Sequence, residues 1–343
     1  MISDTLIAVA ECPDCRAGIA RRDADVVCTG CSRTFGSRDG VLDLRPSASF
    51  AEQTKYLDEA LHADARHEAI APPVLGSKIR NDMLRRFLRP GPGDRVIDLG
   101  CGSGRTIAWN ASSGASLCGI DISPHFAAEA VAESDLLLGD LRRLPLRDAS
   151  FSKAWSLDVL EHLSPQAFRD VLSEAARVLT PGGCLFVYTH VRTNGPLAVG
   201  VRLVNRLARA CERLGLIDLR QERLRKSDHL NPIGDHDELR RTVRECGFEI
   251  ERITYYTPII GALVENILVR MAEQLLTRRA LGTAAGHGPE ATLKAVRSSA
   301  QARVRRGGPA YRGLLMVSAI MTLDVLLFGR IRSGPYFALL RKA

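Results

Sequence analysis

The chain has 343 residues, 45% apolar and 25% charged, proportions of a globular protein able to bury a full-sized core and not of a disordered or fibrous one. Its start, MISDTLIAVAECPDC, lacks a basic stretch followed by an apolar core of signal length, so no signal peptide is expected and the chain is assigned to the reducing cytoplasm. The formal charge of +8 is uneven: residues 191–234 hold nine Lys and Arg against four Asp and Glu, residues 258–335 hold eleven against four, and the remainder is net acidic.

In that compartment nine cysteines are not a disulfide framework. Five stand singly, as small core hydrophobes do, but Cys12, Cys15, Cys28 and Cys31 form C-x2-C-x12-C-x2-C. Two such knuckles present four thiolates to one tetrahedral ion, and binding it supplies folding energy that so short a segment lacks. Residues 1–46 are therefore expected to be a structural zinc ribbon, with an iron–sulfur centre or an empty ribbon as the alternatives. A linker and cap helix follow over 47–76, with the polar stretch EQTKYLDEALHADARHEAI broken by Ala71-Pro72-Pro73. From Ser77 a helix is predicted by Ile79, Met83, Phe87 and Leu88, and Pro90-Gly91-Pro92-Gly93 stops it.

From here strands and helices alternate. RVIDLG (95–100), SLCGID (116–121), DLLLGD (135–140), FSKAWSLD (151–158) and CLFVYTH (184–190) read as strands. Helices are predicted from Gly104, from Ser123-Pro124 and from Ser164, the last closed by Pro181-Gly182-Gly183. Regular alternation with apolar strands predicts an α/β fold with a Rossmann-like parallel sheet covered on both faces.

Between the first of these strands and its helix lies D-L-G-C-G-S-G, Asp98 to Gly104, whose glycines let the backbone turn tightly under a ligand. A dinucleotide fingerprint would need glycine at 105, where this chain has Arg105. Asp121, Asp140 and Asp158 close the next three strands, and ligands of open α/β sheets bind at those carboxyl ends. A carboxylate at 121 can accept two ribose hydroxyls and one at 140 an exocyclic amine.

DLGCGSGRT, GIDIS, LLGDLRRLPLRDASFSKAWSLDVLEHL and EAARVLTPGGCLFVYTH, in this order and spacing, resemble the class I S-adenosylmethionine-dependent methyltransferases of the UbiE/UbiG-like type. The resemblance implies a seven-stranded sheet over residues 77–343. It also implies that Gly100, Gly102 and Gly104 approach the methionine moiety, Asp121 takes the ribose, Asp140 with Leu141 reads adenine, and Asp158 lies near the sulfonium. Asp98 and Ile122 complete the implied S-adenosylmethionine set. CPDC...VVCTGCSRTFGSRDGVLDL is similar to the Trm112-like zinc ribbon that precedes some bacterial methyltransferase domains. Candidate bases for an acceptor that must lose a proton are His162, His190, His229 and His236, with His229, on a loop before the next helix, the best placed and His162 beside it, and the D-x-x-E-H cluster Asp158, Glu161, His162 could instead hold a divalent ion.

FEIERITYY (248–256) and PYFALLRKA (335–343) are expected as the sixth and the antiparallel seventh strand, so 191–234 and 258–334 become helical basic insertions over the acceptor site. On the first, Leu197, Val201, Val204, Ala208 and Cys211 share a face beside Arg202, Arg206, Arg209 and Arg213. Three functions fit: methylation of a small lipophilic or lipid-linked acceptor with peripheral contact to anionic membrane, methylation of RNA tracked by the ribbon and arginines, or a non-catalytic cofactor-binding scaffold. The insertions could also form a homodimer interface. Gly313 to Phe328, sixteen residues, would rise about 24 Å as a helix against roughly 30 Å of hydrocarbon, and Asp324 lies within it, so no transmembrane helix is expected.

Overall fold

Seven apolar runs form the strands expected of them. The computed structural model describes residues 2–23, 25–47, 70–191, 195–220, 223, 229–283 and 289–343, and the polar helix expected in the linker lies outside that set. In chain order, helix α1 (Asp4–Val9) leads into strands β1 (Ile19–Arg22), β2 (Asp25–Cys28), β3 (Thr34–Phe35), β4 (Ser37–Arg38) and β5 (Val41–Asp43). Helix α2 (Leu75–Leu88), β6 (Arg95–Leu99), α3 (Arg105–Asn110), β7 (Ser116–Asp121), α4 (Ala128–Glu133), β8 (Asp135–Leu138), β9 (Phe151–Leu157), α5 (Pro165–Val178) and β10 (Leu179–His190) follow. Next come α6 (Ala198–Arg213), α7 (His236–Glu245), β11 (Phe248–Tyr255), α8 (Ile259–Leu263), α9 (Arg270–Thr283), α10 (Pro289–Arg303), α11 (Pro309–Met321), α12 (Leu323–Phe328) and β12 (Pro335–Lys342).

The sheet order is β11-β12-β10-β9-β6-β7-β8-β5-β4. Strands β10, β9, β6, β7, β8 and β5 run parallel, and β12 lies antiparallel between β10 and β11. The seven expected strands thus carry two more. Leu42 pairs with Leu137 and Asp43 with Leu138, so the sheet takes in the end of the cysteine segment, within residues 1–46. One face is packed by Phe168, Leu172 and Val178 of α5 and Leu239 of α7, the other by Ile79, Leu84 and Phe87 of α2 with Met321 and Val325.

Three local expectations are corrected. The helix expected from Ser123 begins only at Ala128, because Asp121 accepts the Ser123 N–H at 2.9 Å and Ser103 the Ala127 N–H at 3.0 Å, holding 123–127 against the glycine turn. Pro181-Gly182-Gly183 lies inside β10, where the register with β9 shifts between Leu179 and Cys184. The last apolar helix begins at Pro309, not Gly313. Pro309–Phe328 is 20 residues, long and apolar enough to cross a membrane by length and composition, so the length argument against a span does not hold. Its Asp324 is buried and accepts the N–H groups of Ile260 at 3.0 Å and Gly261 at 2.8 Å, while Ser318 Oγ accepts that of Leu75 at 2.7 Å.

Candidate active site

After Leu99 the chain turns through three glycines with φ of +81°, +54° and +81° at 100, 102 and 104, a region closed to most side chains. A Cβ at Gly100 would stand 2.5 Å from Val159 Cγ2 and one at Gly104 2.5 Å from Ala130 Cβ, while the space around Gly102 is open to 4 Å. Two glycines are thus needed for packing, and the middle one leaves its face clear for a ligand. Gly104→Ala should cost about 3 kcal/mol, from left-handed strain and overpacking together, read as a lowered denaturation midpoint.

Asp121, at the end of β7, braces this turn. Its Oδ2 accepts the Gly102 N–H at 2.7 Å, and the Gly100 and Cys101 N–H groups reach Ile120 O at 2.9 and 3.1 Å. Half-buried Ile122 follows it. Asp98 lies beneath the turn at 2% exposure, and burial, with the Asp121 charge adding, pushes its carboxyl from 3.8 up to about 8. A raised folded pKa contributes stability that is complete below about pH 4 and lost as pH rises through about 8. Asp98→Asn should flatten that decline between about pH 4 and 8 in a series of melting temperatures.

Asp140 caps the short turn Leu141–Arg143 by accepting the Arg142 N–H at 2.9 Å, and Arg142 Nη2 grips its other oxygen at 3.0 Å. An adenine amine at Asp140 would share that carboxylate with Arg142. Asp158 has φ +57°, donates its N–H to Tyr188 O at 3.1 Å and meets Arg80 Nε at 3.4 Å. Arg80 lies over the Tyr188 ring, 5.5 Å from its centroid. Asp158 is thus ion-paired, and it is not among the side chains that converge as potential metal ligands beside it.

His162 and His229 do come together, their ring centroids 4.7 Å apart and edge to face, with His190 5.8 Å beyond His229. The loop is drawn in by the N–H groups of Leu230 and Asn231, which reach the Glu161 carbonyl at 2.8 and 2.9 Å. Buried Glu161 accepts Thr189 Oγ1 at 2.9 Å, and desolvation, with Asp158 adding, raises its carboxyl to about 7. Glu161, His162 and His229 each place one ligand atom within 4.8 Å of the others, so His229 takes the place that spacing gave Asp158 in a potential cation site.

A family model described as a methyltransferase domain matches residues 97–187, from β6 to β10. That span contains the glycine turn, Asp121, Asp140 and Asp158, all on one edge of a sheet whose order places β6 at the reversal point. Residues 97–187 are a methyltransferase domain. The chain is 36% identical over 124 residues to an O-methyltransferase of Pyrenophora dematioidea, covering 33% of this chain and 45% of that one. A 24-methylenesterol C-methyltransferase 2 of Oryza sativa subsp. japonica is 28% identical over 186 residues, 51% of this chain and 46% of that one. A probable tRNA methyltransferase 9B of Homo sapiens is 34% identical over 112 residues, 31% and 23%. The chain spans less than half the length of each.

The methyltransferase domain is wired to the cysteine segment through the turn after Asp140. Glu11 N–H reaches Pro145 O at 2.9 Å, Arg147 N–H reaches Val9 O at 2.8 Å, and Arg16 Nη1 reaches Leu144 O at 2.6 Å. The four sulfurs converge, Cys12 to Cys31 at 3.7 Å and Cys15 to Cys28 at 3.4 Å. Burial raises the Cys12 thiol to about 12, whereas at Cys28 burial is outweighed by the N–H groups of Cys31 and Gly30, each 3.3 Å from its sulfur, and the thiol falls to about 6. Four sulfurs on two N–H···S turns fit one tetrahedral ion.

Proposed function

We propose that this chain transfers a methyl group from S-adenosylmethionine to a small lipophilic or lipid-linked acceptor on the cytoplasmic side of a membrane. The observation that carries the reading is the gathering of the glycine turn, Asp121, Asp140 and Asp158 on the carboxyl edge of the sheet. In this reading the glycines and Asp98 support the methionine end, Asp121 with Ile122 holds the ribose, and Asp140 with Leu141 meets adenine. Bound there, S-adenosylmethionine supplies a methyl already activated on a sulfonium. The protein is left to place and dry the acceptor.

His229 and His162 stand beside buried Glu161 on the same edge, where they hold and remove an acceptor proton. Cys12, Cys15, Cys28 and Cys31 hold a structural zinc ion. The lipophilic acceptor is supported by the sterol in the rice relative's name and by the exposed leucines of the insertions that follow β10 and β11. Such leucines offer RNA no stacking surface, which weighs against the tRNA reading despite the basic charge.

The test is transfer of a labelled methyl from S-adenosylmethionine to a membrane lipid extract, set against the same assay with RNA. Label should enter the organic phase, and His229→Ala should lower kcat on the order of a hundredfold without changing cofactor affinity. Label found in RNA alone would reject the acceptor class.

A further inference from the structure

All sixteen large apolar side chains that are exposed among the described residues lie between Val199 and Ile331, within the two insertions. Isolated exposed leucines are ordinary, but stripes of them are not. On α6, Val204, Ala208 and Cys211 pack against Ile267 and Met271. Val199, Leu203 and Leu207 fall within about 80° of one another on the next sector, at 100° per residue, and remain in water, Leu203 at 66% exposure. Arg202, Arg206, Arg209 and Arg213 occupy the sector on the other side of those leucines, are exposed, and form no ion pair among the described residues.

Helices α11 and α12 repeat the division. Their inner side is tied down through Ser318 and Asp324. Met316, Ile320, Leu323 and Leu327 form an outer stripe, with Met316 72% exposed, and Arg312 and Arg330 are exposed toward its two ends. Both units pack on α8, which adds exposed Leu263. A spanning arrangement of Pro309–Phe328 would have to give up the Ser318 and Asp324 bonds, leaving a carboxylate in hydrocarbon. A helix lying in the interface keeps them.

We propose that the leucine stripe of α6, with the outer stripe of α11 and α12, is a docking face for an anionic lipid bilayer. The leucines enter the acyl boundary while the adjoining arginines meet headgroup phosphates. A second copy of the chain is a poorer occupant, because a two-fold contact would set arginine against arginine. RNA would leave the leucines in water. The inference rests on the methyltransferase reading only for its purpose: α6 follows β10 and α8 follows β11, so a bilayer held here adjoins the edge that carries the site.

The test is co-sedimentation of the full chain with vesicles of phosphatidylcholine alone and of phosphatidylcholine with phosphatidylglycerol, alongside calorimetric S-adenosylmethionine binding. Wild-type protein should sediment with the anionic vesicles and be released by salt. Each of Arg206→Ala and Arg209→Ala should lower partitioning about fivefold, and Leu203→Ser with Leu207→Ser on the order of a hundredfold, all with unchanged cofactor affinity. Absence of binding to either vesicle overturns the docking face, as does binding that these substitutions leave intact, a self-associated dimer that hides Leu203, or retention by RNA in place of lipid. Loss of cofactor binding in protein that still sediments would instead overturn the proposed function and leave the docking face standing.

Discussion

Asp121→Ala should lower affinity for S-adenosylmethionine by at least about a hundredfold, measured by calorimetry on folded protein. The carboxylate has two tasks. In the proposed complex it accepts two ribose hydroxyls, and hydrogen bonds to a charged group contribute roughly 1.5–3 kcal/mol each. In the structure it also accepts the Gly102 N–H at 2.7 Å and the Ser123 N–H at 2.9 Å, so its removal loosens the turn beneath the methionine end. Asp121→Asn keeps an acceptor for one of those bonds and should lose less. Wild-type affinity in the alanine variant would remove Asp121 from the site.

The second large effect is expected on stripping the proposed zinc ion from Cys12, Cys15, Cys28 and Cys31. Chelation should unfold the cysteine segment, and the damage should reach the cofactor. Four backbone and arginine links join that segment to residues 143–147: Glu11 to Pro145, Val9 to Arg147, Arg16 to Leu144, and Arg143 Nη2 to the Asp14 carbonyl at 3.1 Å. With them gone, the turn after Asp140 loses its outer support. Cofactor affinity should fall roughly tenfold, about 1.4 kcal/mol, together with a lower melting temperature. A metal-free protein with its cysteine segment folded and its cofactor affinity unchanged would refute both the zinc and the coupling.

Local chemistry made the sheet readable. The strand SLCGID is apolar and ends in the acid that braces the glycine turn, and Ser164 caps α5 as its type and the following proline suggest. What escaped reading depends on contacts between distant residues. The Glu161 carbonyl draws in the loop of Leu230 and Asn231, which is how His229 meets His162. Asp158 finds Arg80 on α2, a helix that periodicity marked only as a core element. Asp324 looked like an intruder in an apolar run, yet its partners are the backbone N–H groups of α8, which no side-chain pattern reveals. The amphipathic face of α6 was legible, but its apolar surface is wider than the contact that covers it, and only packing shows which leucines are left out.

The central claim is that this fold binds S-adenosylmethionine on the carboxyl edge of its sheet. The native mass spectrum of the intact chain at saturating cofactor tests it most directly. One S-adenosylmethionine per folded chain is expected, lost in Asp121→Ala. A folded wild-type chain that carries none would contradict it.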